Sequence, residues 1–215
     1  MNKYKKIVSI AATAVMCVAP MSVYAQEAQT DVIEAVAEKK QDTESSSVPV
    51  LQKEGIEISE GTGYDLSKEP GAATVKALEQ GTIVISYKTT SENAIQSLLS
   101  VGNGTKGNQD RHFHLYITNA GGVGMELRNT DGEFKYTLDC PAAVRGSYKG
   151  ERVSNTVALK ADKENKQYKL FANGELIATL DQEAFKFISD ITGVDNVMLG
   201  GTMRQGTVAI HLEVP

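Results

Sequence analysis

Cysteine is nearly absent from this chain: Cys17 and Cys140 are the only two in 215 residues. Recognisable catalytic signatures are missing as well. There is no G-x-S-x-G elbow, no H-E-x-x-H helix motif, no Walker loop and no E-x-D-x-E cluster of carboxylates on any strand-like run. Gly102-Asn103-Gly104-Thr105-Lys106-Gly107 has a phosphate-loop look, but its order is wrong and no helix follows, so it reads as a turn. No repeat of propeller or solenoid type is visible. Tryptophan is absent, and arginine is scarce at Arg111, Arg128, Arg145, Arg152 and Arg204.

The amino terminus reads as an export signal. Lys3, Lys5 and Lys6 form a basic start, Ile7 to Val18 is a short apolar run, and Val23-Tyr24-Ala25 is a small-x-small cleavage site before Gln26. The apolar run is too short for a comfortable membrane span. Residues 1–25 are therefore expected to be removed and the protein to be secreted or held at a bacterial cell surface. Losing three lysines and no acids takes the formal charge from −5 to −8. So acidic a chain suits neither nonspecific nucleic-acid binding nor an anionic membrane, and any anion must be gripped by a local pocket. Cys17 leaves with the leader, which excludes an internal disulfide and a thiolate zinc site. Cys140-Pro141-Ala142 lacks catalytic context, so Cys140 is expected to be a packed or tolerated thiol.

Residues 26–49 are polar, acidic and serine-containing. Val32, Ile33, Val36 and Ala37 fall at helical spacing, yet a flexible linker is the expected state. From 50 to 215 short β-prone runs alternate with turn residues. Strands are expected at Gly55–Ser59, Gly81–Lys88, Gln96–Val101, Arg111–Thr118, Val123–Arg128, Phe134–Leu138, Asn155–Ala161, Gln167–Phe171, Glu175–Leu180, Asn196–Leu199 and Thr207–Val214, the last as a closing strand. Asn173-Gly174 is the strongest hairpin signal. Asp181–Asp190 alone reads as a helix, with Phe185 and Ile188 on one side. About eleven short strands, one minor helix and no strand–helix alternation predict an all-β antiparallel sandwich, a jelly roll of the laminin-G or concanavalin-like type.

Two arginines sit in similar glycine-rich, β-prone settings, Gly122-Val123-Gly124-Met125-Glu126-Leu127-Arg128 and Gly200-Gly201-Thr202-Met203-Arg204. Strand alternation puts Glu126 and Arg128 on one face. With a second arginine brought alongside, they could bind an acidic, hydroxyl-rich ligand, since a guanidinium fork suits a carboxylate. A structural cross-strand ion pair with Glu126 is an equal alternative. Arg111, Arg145 and Arg152 fall at strand starts or loops and are expected to be solvated or in rim ion pairs. His112 and His114 share a face with Tyr116, but two histidines without a third favour packing over metal binding. His211 is expected to pack or face solvent. No oxygen-rich calcium loop surrounds Asp110, and neither a metal nor a cofactor is expected.

Several runs together resemble the family 40 carbohydrate-binding module. They are His112-Phe113-His114-Leu115-Tyr116-Ile117, Gly124-Met125-Glu126-Leu127-Arg128-Asn129, Asn155-Thr156-Val157-Ala158-Leu159, Tyr168-Lys169-Leu170-Phe171-Ala172-Asn173-Gly174 and Leu199-Gly200-Gly201-Thr202-Met203-Arg204, in the family's order from about Val50 onward. The resemblance implies a noncatalytic lectin domain that binds terminal sialic acid and precedes the catalytic propeller of a bacterial sialidase, of hydrolytic or intramolecular trans-sialidase type, on sialylated mucin-type substrates. It implies that Arg128 and Arg204 clamp the sugar carboxylate, that Glu126 accepts from a hydroxyl or the acetamido N–H, that Tyr116 offers a hydroxyl and a ring face, and that Ile95 contacts the acetyl methyl. The chain departs from many sugar binders in lacking tryptophan for stacking, which favours an anionic sugar over cellulose or xylan. Sialidase Asp-boxes and the F/Y-R-I-P motif are absent, so this chain is expected to need an attached catalytic domain for activity. A laminin-G-like protein-interaction domain without glycan specificity is the alternative reading, and a cryptic glycosidase a third.

Overall fold

The computed structural model describes residues 12–17, 49–58, 62–88, 95–105, 107–108, 110–118, 120–130, 133–141, 143, 154–204 and 207–209. Two antiparallel six-stranded sheets make a β-sandwich. The first runs, edge to edge, through β11 (Glu175–Asp181), β10 (Gln167–Ala172), β9 (Asn155–Asp162), β4 (Gly81–Tyr87), β1 (Ala12–Cys17) and β2 (Pro49–Ile56). The second runs through β3 (Tyr64–Asp65), β12 (Asn196–Leu199), β5 (Ile95–Gly102), β6 (His112–Thr118), β7 (Val123–Asn129) and β8 (Phe134–Cys140). A two-stranded hairpin, β13 (Thr202–Arg204) with β14 (Thr207–Ala209), completes the described strands. One short helix, α1 (Ala72–Lys76), plugs its Ala72 and Val75 into the core.

Alternation explains the first sheet. In β4 the buried positions are Ile83, Ile85 and Tyr87, and in β9 they are Asn155, Val157, Leu159 and Ala161 with Asp162 at the turn, so each strand turns an apolar row inward. From the other sheet come Phe113, Leu115, Ile117, Met125 and Leu127, all within one continuous cluster. Aromatics fasten one end: Phe113 meets Phe187 edge-on at 5.7 Å and Tyr168 stacks on Phe185 at 4.9 Å. Tyr168 is fully buried because its hydroxyl donates to the Lys186 carbonyl, and burial pushes its pKa up. Asn173 and Gly174, with φ of 51° and 88°, form the β10–β11 turn as the sequence implies.

The second sheet departs from simple alternation. Nearly every residue of β5 and β6 is buried, so their outer face is covered as well as their core face. Ser97 and Ser100 show what covers it. Both hydroxyls donate to the Gly201 carbonyl, at 3.1 and 3.0 Å, which lays the segment leading into β13 across the outer face of β5. β13 itself packs against β5.

Several expectations need correction. The helix expected at Asp181–Asp190 is reduced to a single 3-10 turn at Ile188–Asp190, because β11 runs on to Asp181 and the Asp190 carboxylate accepts from the Phe187 N–H to close a tight turn. Ile188 is buried and Phe185 half-buried, so their shared apolar role survives without the helix. The strand expected at Gly55–Ser59 lies earlier, at Pro49–Ile56, and α1 and β3 carried no signal of length. Ala12–Cys17, inside the expected leader, pairs on both sides as β1, between β2 and β4. Thr13 and Val15 suit a ladder, and periodicity does not separate a leader's apolar run from a strand. Of the closing strand at Thr207–Val214, Thr207–Ala209 is observed and the rest, with His211, lies outside the described residues, as do Arg145, Arg152 and the Val32–Lys39 segment. No described helix is long and apolar enough to cross a membrane.

Candidate functional site

The β6–β7 hairpin sets the site. Its register places His112 opposite Arg128, His114 opposite Glu126 and Tyr116 opposite Gly124, all on the outer face. The β7–β8 register continues the row with Lys135 beside Arg128, Thr137 beside Glu126 and Asp139 beside Gly124. The sheet therefore carries a polar end and an apolar end, about 13 Å apart from Gly124 to Arg128 at the usual strand rise.

At the polar end, the Arg128 guanidinium is held by two carboxylates. Its Nη1 lies 3.3 Å from Glu126 Oε1 and its Nη2 3.1 Å from Asp110 Oδ1. Glu126 is buried and also meets His112 Nε2 at 3.4 Å, with Lys135 Nζ 4.0 Å away. The Arg128 side chain keeps 28% exposure. A guanidinium carries five N–H donors, so two carboxylate contacts orient the fork and leave donors facing outward. Glu126 and Arg128 emerge together as strand alternation requires. Their ion pair is real, and it satisfies the structural reading of these residues as well as the binding one.

At the apolar end lies an open pocket of about 370 Å³ lined by Ile95, Tyr116, Thr118, Gly122, Val123, Asp139, Cys140 and Pro141. Ile95 pairs with Thr118 and Tyr116 with Ser97, which puts Ile95 beside Tyr116 on the pocket side. The Tyr116 hydroxyl donates to Asp139 in a short hydrogen bond, and its ring lies 5.1 Å from that of His114. Burial, and then the Asp139 hydrogen bond and charge, push the phenol's pKa well up, so it stays a neutral donor. Gly124 permits this arrangement by having no side chain: a Cβ there would sit 2.3 Å from Tyr116 Cζ and 2.4 Å from Asp139 Oδ1.

Of the five residues singled out in the sequence, the structure brings four to one face: Ile95 and Tyr116 at the pocket, Glu126 and Arg128 along the ladder. Arg204 ends β13, and its side chain lies outside the described residues. Cys140, expected to be a packed or tolerated thiol, is half-buried at the pocket. Sequence reasoning missed Asp110, His112 as Glu126's partner, and Asp139. The last was readable in principle, because a short β7–β8 turn fixes which residue faces Gly124. Among the described residues no group of His, Cys, Asp and Glu has the makings of a metal site.

Comparison with known proteins places this geometry in a family. Residues 33–212 match the family described as sialidase, N-terminal domain. The chain is 64% identical over 194 residues to an anhydrosialidase of Macrobdella decora, covering 87% of this chain and 26% of that protein. It is 30% identical over 128 residues to sialidase B of Streptococcus pneumoniae, of which it spans 18%. Among solved structures it resembles the Ruminococcus gnavus IT-sialidase CBM40 bound to α2,6-sialyllactose, at 99% identity and a TM-score of 0.73, covering 75% of this chain and 86% of that one. The same module bound to α2,3-sialyllactose gives 96% identity and a TM-score of 0.72, over 75% and 85% of the two chains. The sandwich, the covered β5–β6 face and the ordered strand motifs thus carry a known ancestry: the chain belongs to the sialidase N-terminal domain family.

Proposed function

We propose that this domain is a noncatalytic lectin that binds terminal sialic acid and holds an attached sialidase or trans-sialidase near sialylated, mucin-type glycans. The observation that carries the reading is one face on which an oriented, part-exposed guanidinium and a buried carboxylate share a strand with an apolar pocket. A sialic acid presents a carboxylate for Arg128 and Arg204, hydroxyls for Glu126, and an N-acyl group for the pocket at Ile95 and Tyr116. Its charge and glycerol tail substitute for the stacking that tryptophan gives other sugar binders. The similar R. gnavus module is bound to both α2,3- and α2,6-sialyllactose, which supports recognition of the terminal sugar in either linkage.

Export supports the same setting. The leader at residues 1–25 would deliver the protein to the bacterial surface or beyond, where such glycans occur. One monosaccharide in an open site should bind at about −4 to −5 kcal/mol, near millimolar. Retention then comes from many ligands at high effective concentration on one surface. Titration with sialyllactose by NMR or calorimetry tests the reading. Saturable binding that disappears in an Arg128→Ala, Arg204→Ala double variant is expected; no saturable shift, or undiminished binding by that variant, refutes it. The laminin-G-like alternative called for an ion pair without a pocket, and the cavity beside Tyr116 weighs against it.

A further inference from the structure

We infer that Asp139 is a specificity-determining residue for the N-acyl arm of the sugar, and that the pocket it borders favours a hydroxylated acyl group, N-glycolyl, over N-acetyl. The inference rests on the proposed sialic-acid function. Its starting point is the pocket wall, where one carboxylate borders an otherwise largely apolar, open cavity of about 370 Å³. The only sialic-acid substituent with an apolar body is the N-acyl arm, and a wall that includes Ile95, the Tyr116 ring and Pro141 suits that body. The carboxylate-binding end at Arg128 is four residues further along β7 from Gly124, and one Nη of Arg128 reaches back to Glu126, two residues nearer the pocket.

The polar exception on the pocket wall is Asp139. One of its oxygens accepts the Tyr116 hydroxyl, and the residue as a whole is exposed. A carboxylate is an acceptor only, with about four lone-pair sites, so the second oxygen is available to a donor arriving in the pocket. An N-acetyl methyl has no proton to give it. An N-glycolyl hydroxyl does, and it would complete the chain Tyr116 to Asp139 to ligand. A charged acyl arm ending in a carboxylate would instead meet like charge.

The test compares binding of N-acetyl- and N-glycolylneuraminyl-lactose to the wild type and to Asp139→Ala. A glycolyl preference of about three- to tenfold in the wild type, the scale of one hydrogen bond to a charged group in a wet site, should fall to about one in Asp139→Ala. A wild-type ratio of one or less, or a ratio unmoved by Asp139→Ala, overturns the inference while leaving sialic-acid binding intact. Failure of both sugars to bind the wild type removes the proposed function and this inference together. A second measurement needs no change at Asp139: in a Cys17→Ser background, saturating N-glycolyl ligand should slow alkylation of Cys140 several-fold. An unchanged alkylation rate shows that the acyl arm does not enter the pocket and overturns the inference.

Discussion

Gly124→Ala separates the site from the fold. The added methyl would stand 2.3 Å from Tyr116 Cζ, 2.5 Å from its hydroxyl oxygen and 2.4 Å from Asp139 Oδ1. Carbon atoms in comfortable contact are about 3.5–4.0 Å apart, so the ring and the carboxylate must move by an ångström or more. All the nearest atoms are tips of side chains rather than backbone, and the strands can keep their register. Overpacking costs about 1–3 kcal/mol in general, and the lower end is expected where tips can swing toward solvent. The pocket fares worse, because the ring that walls it and the hydroxyl that holds Asp139 are both displaced. Urea unfolding should show a loss of about 1 kcal/mol, while an NMR titration with sialyllactose shows at least a tenfold rise in Kd, about 1.4 kcal/mol. The two changes act through one ring, so adding Gly124→Ala to Tyr116→Ala should cost little further binding. Unchanged affinity in Gly124→Ala, or full additivity in the double variant, refutes the reasoning.

Three further outcomes follow from other parts of the molecule. Glu126→Gln removes the charge that pairs with Arg128 and His112; it should make binding of simple carboxylates such as acetate less discriminated against relative to sialic acid, by a factor of about three to ten in competition titrations. Burial raises the Asp162 carboxyl, but hydrogen bonds from Asn165 and the Lys160 ammonium 3.2 Å away outweigh it, and its pKa lies below the ordinary carboxylate value. A depressed carboxyl stabilises the fold above its unfolded value near 3.9 and loses that contribution as pH falls through the folded one, so Asp162→Asn should flatten the acid limb of a stability–pH curve below about pH 4 and leave sialyllactose binding alone. A chain beginning at Gln26 lacks β1 and leaves ladder positions on β2 and β4 open, so the β4 amides that face β1 should exchange faster than in the full chain, and undiminished protection counts against β1's place in the sheet.

How much of this was legible depended on how local each cause was. The alternation of β4 and β9 was readable directly, the strands of the second sheet only as short β-prone runs between turn residues, and Asn173-Gly174 turns where its two positive φ values are cheapest. The helix expected at Asp181–Asp190 failed because Phe185 and Ile188 pack equally well from an irregular segment, held by the Asp190 carboxylate on the Phe187 amide. Glu126 and Arg128 could be placed on one face by parity alone. Their partners could not: Asp110 sits in the turn before β6, and His112 meets Glu126 only through the hairpin register. Burial on both faces of β5 and β6 was invisible in the same way, since the serine pair that anchors the Gly201 carbonyl lies a hundred residues away in sequence.

The two carboxylates on Arg128 bear on selectivity. On a chain this acidic, a guanidinium already matched by Glu126 and Asp110 exerts little net pull on a bare anion, and what it offers is directed donors rather than charge. An anion that brings no hydrogen-bond donor of its own takes donors from Arg128 but sets its charge against Glu126 and Asp110. A ligand that presents a carboxylate to the outward donors of Arg128 and hydroxyls or an amide N–H to Glu126 satisfies both members of the pair at once, so neither is left desolvated and alone. On the proposed function, discrimination is expected to reside in the pair and not in the arginine. For that reason Arg128→Lys, which keeps the charge and loses the fork, should bind sialyllactose nearly as poorly as Arg128→Ala. Near-wild-type affinity for Arg128→Lys would show that charge alone suffices.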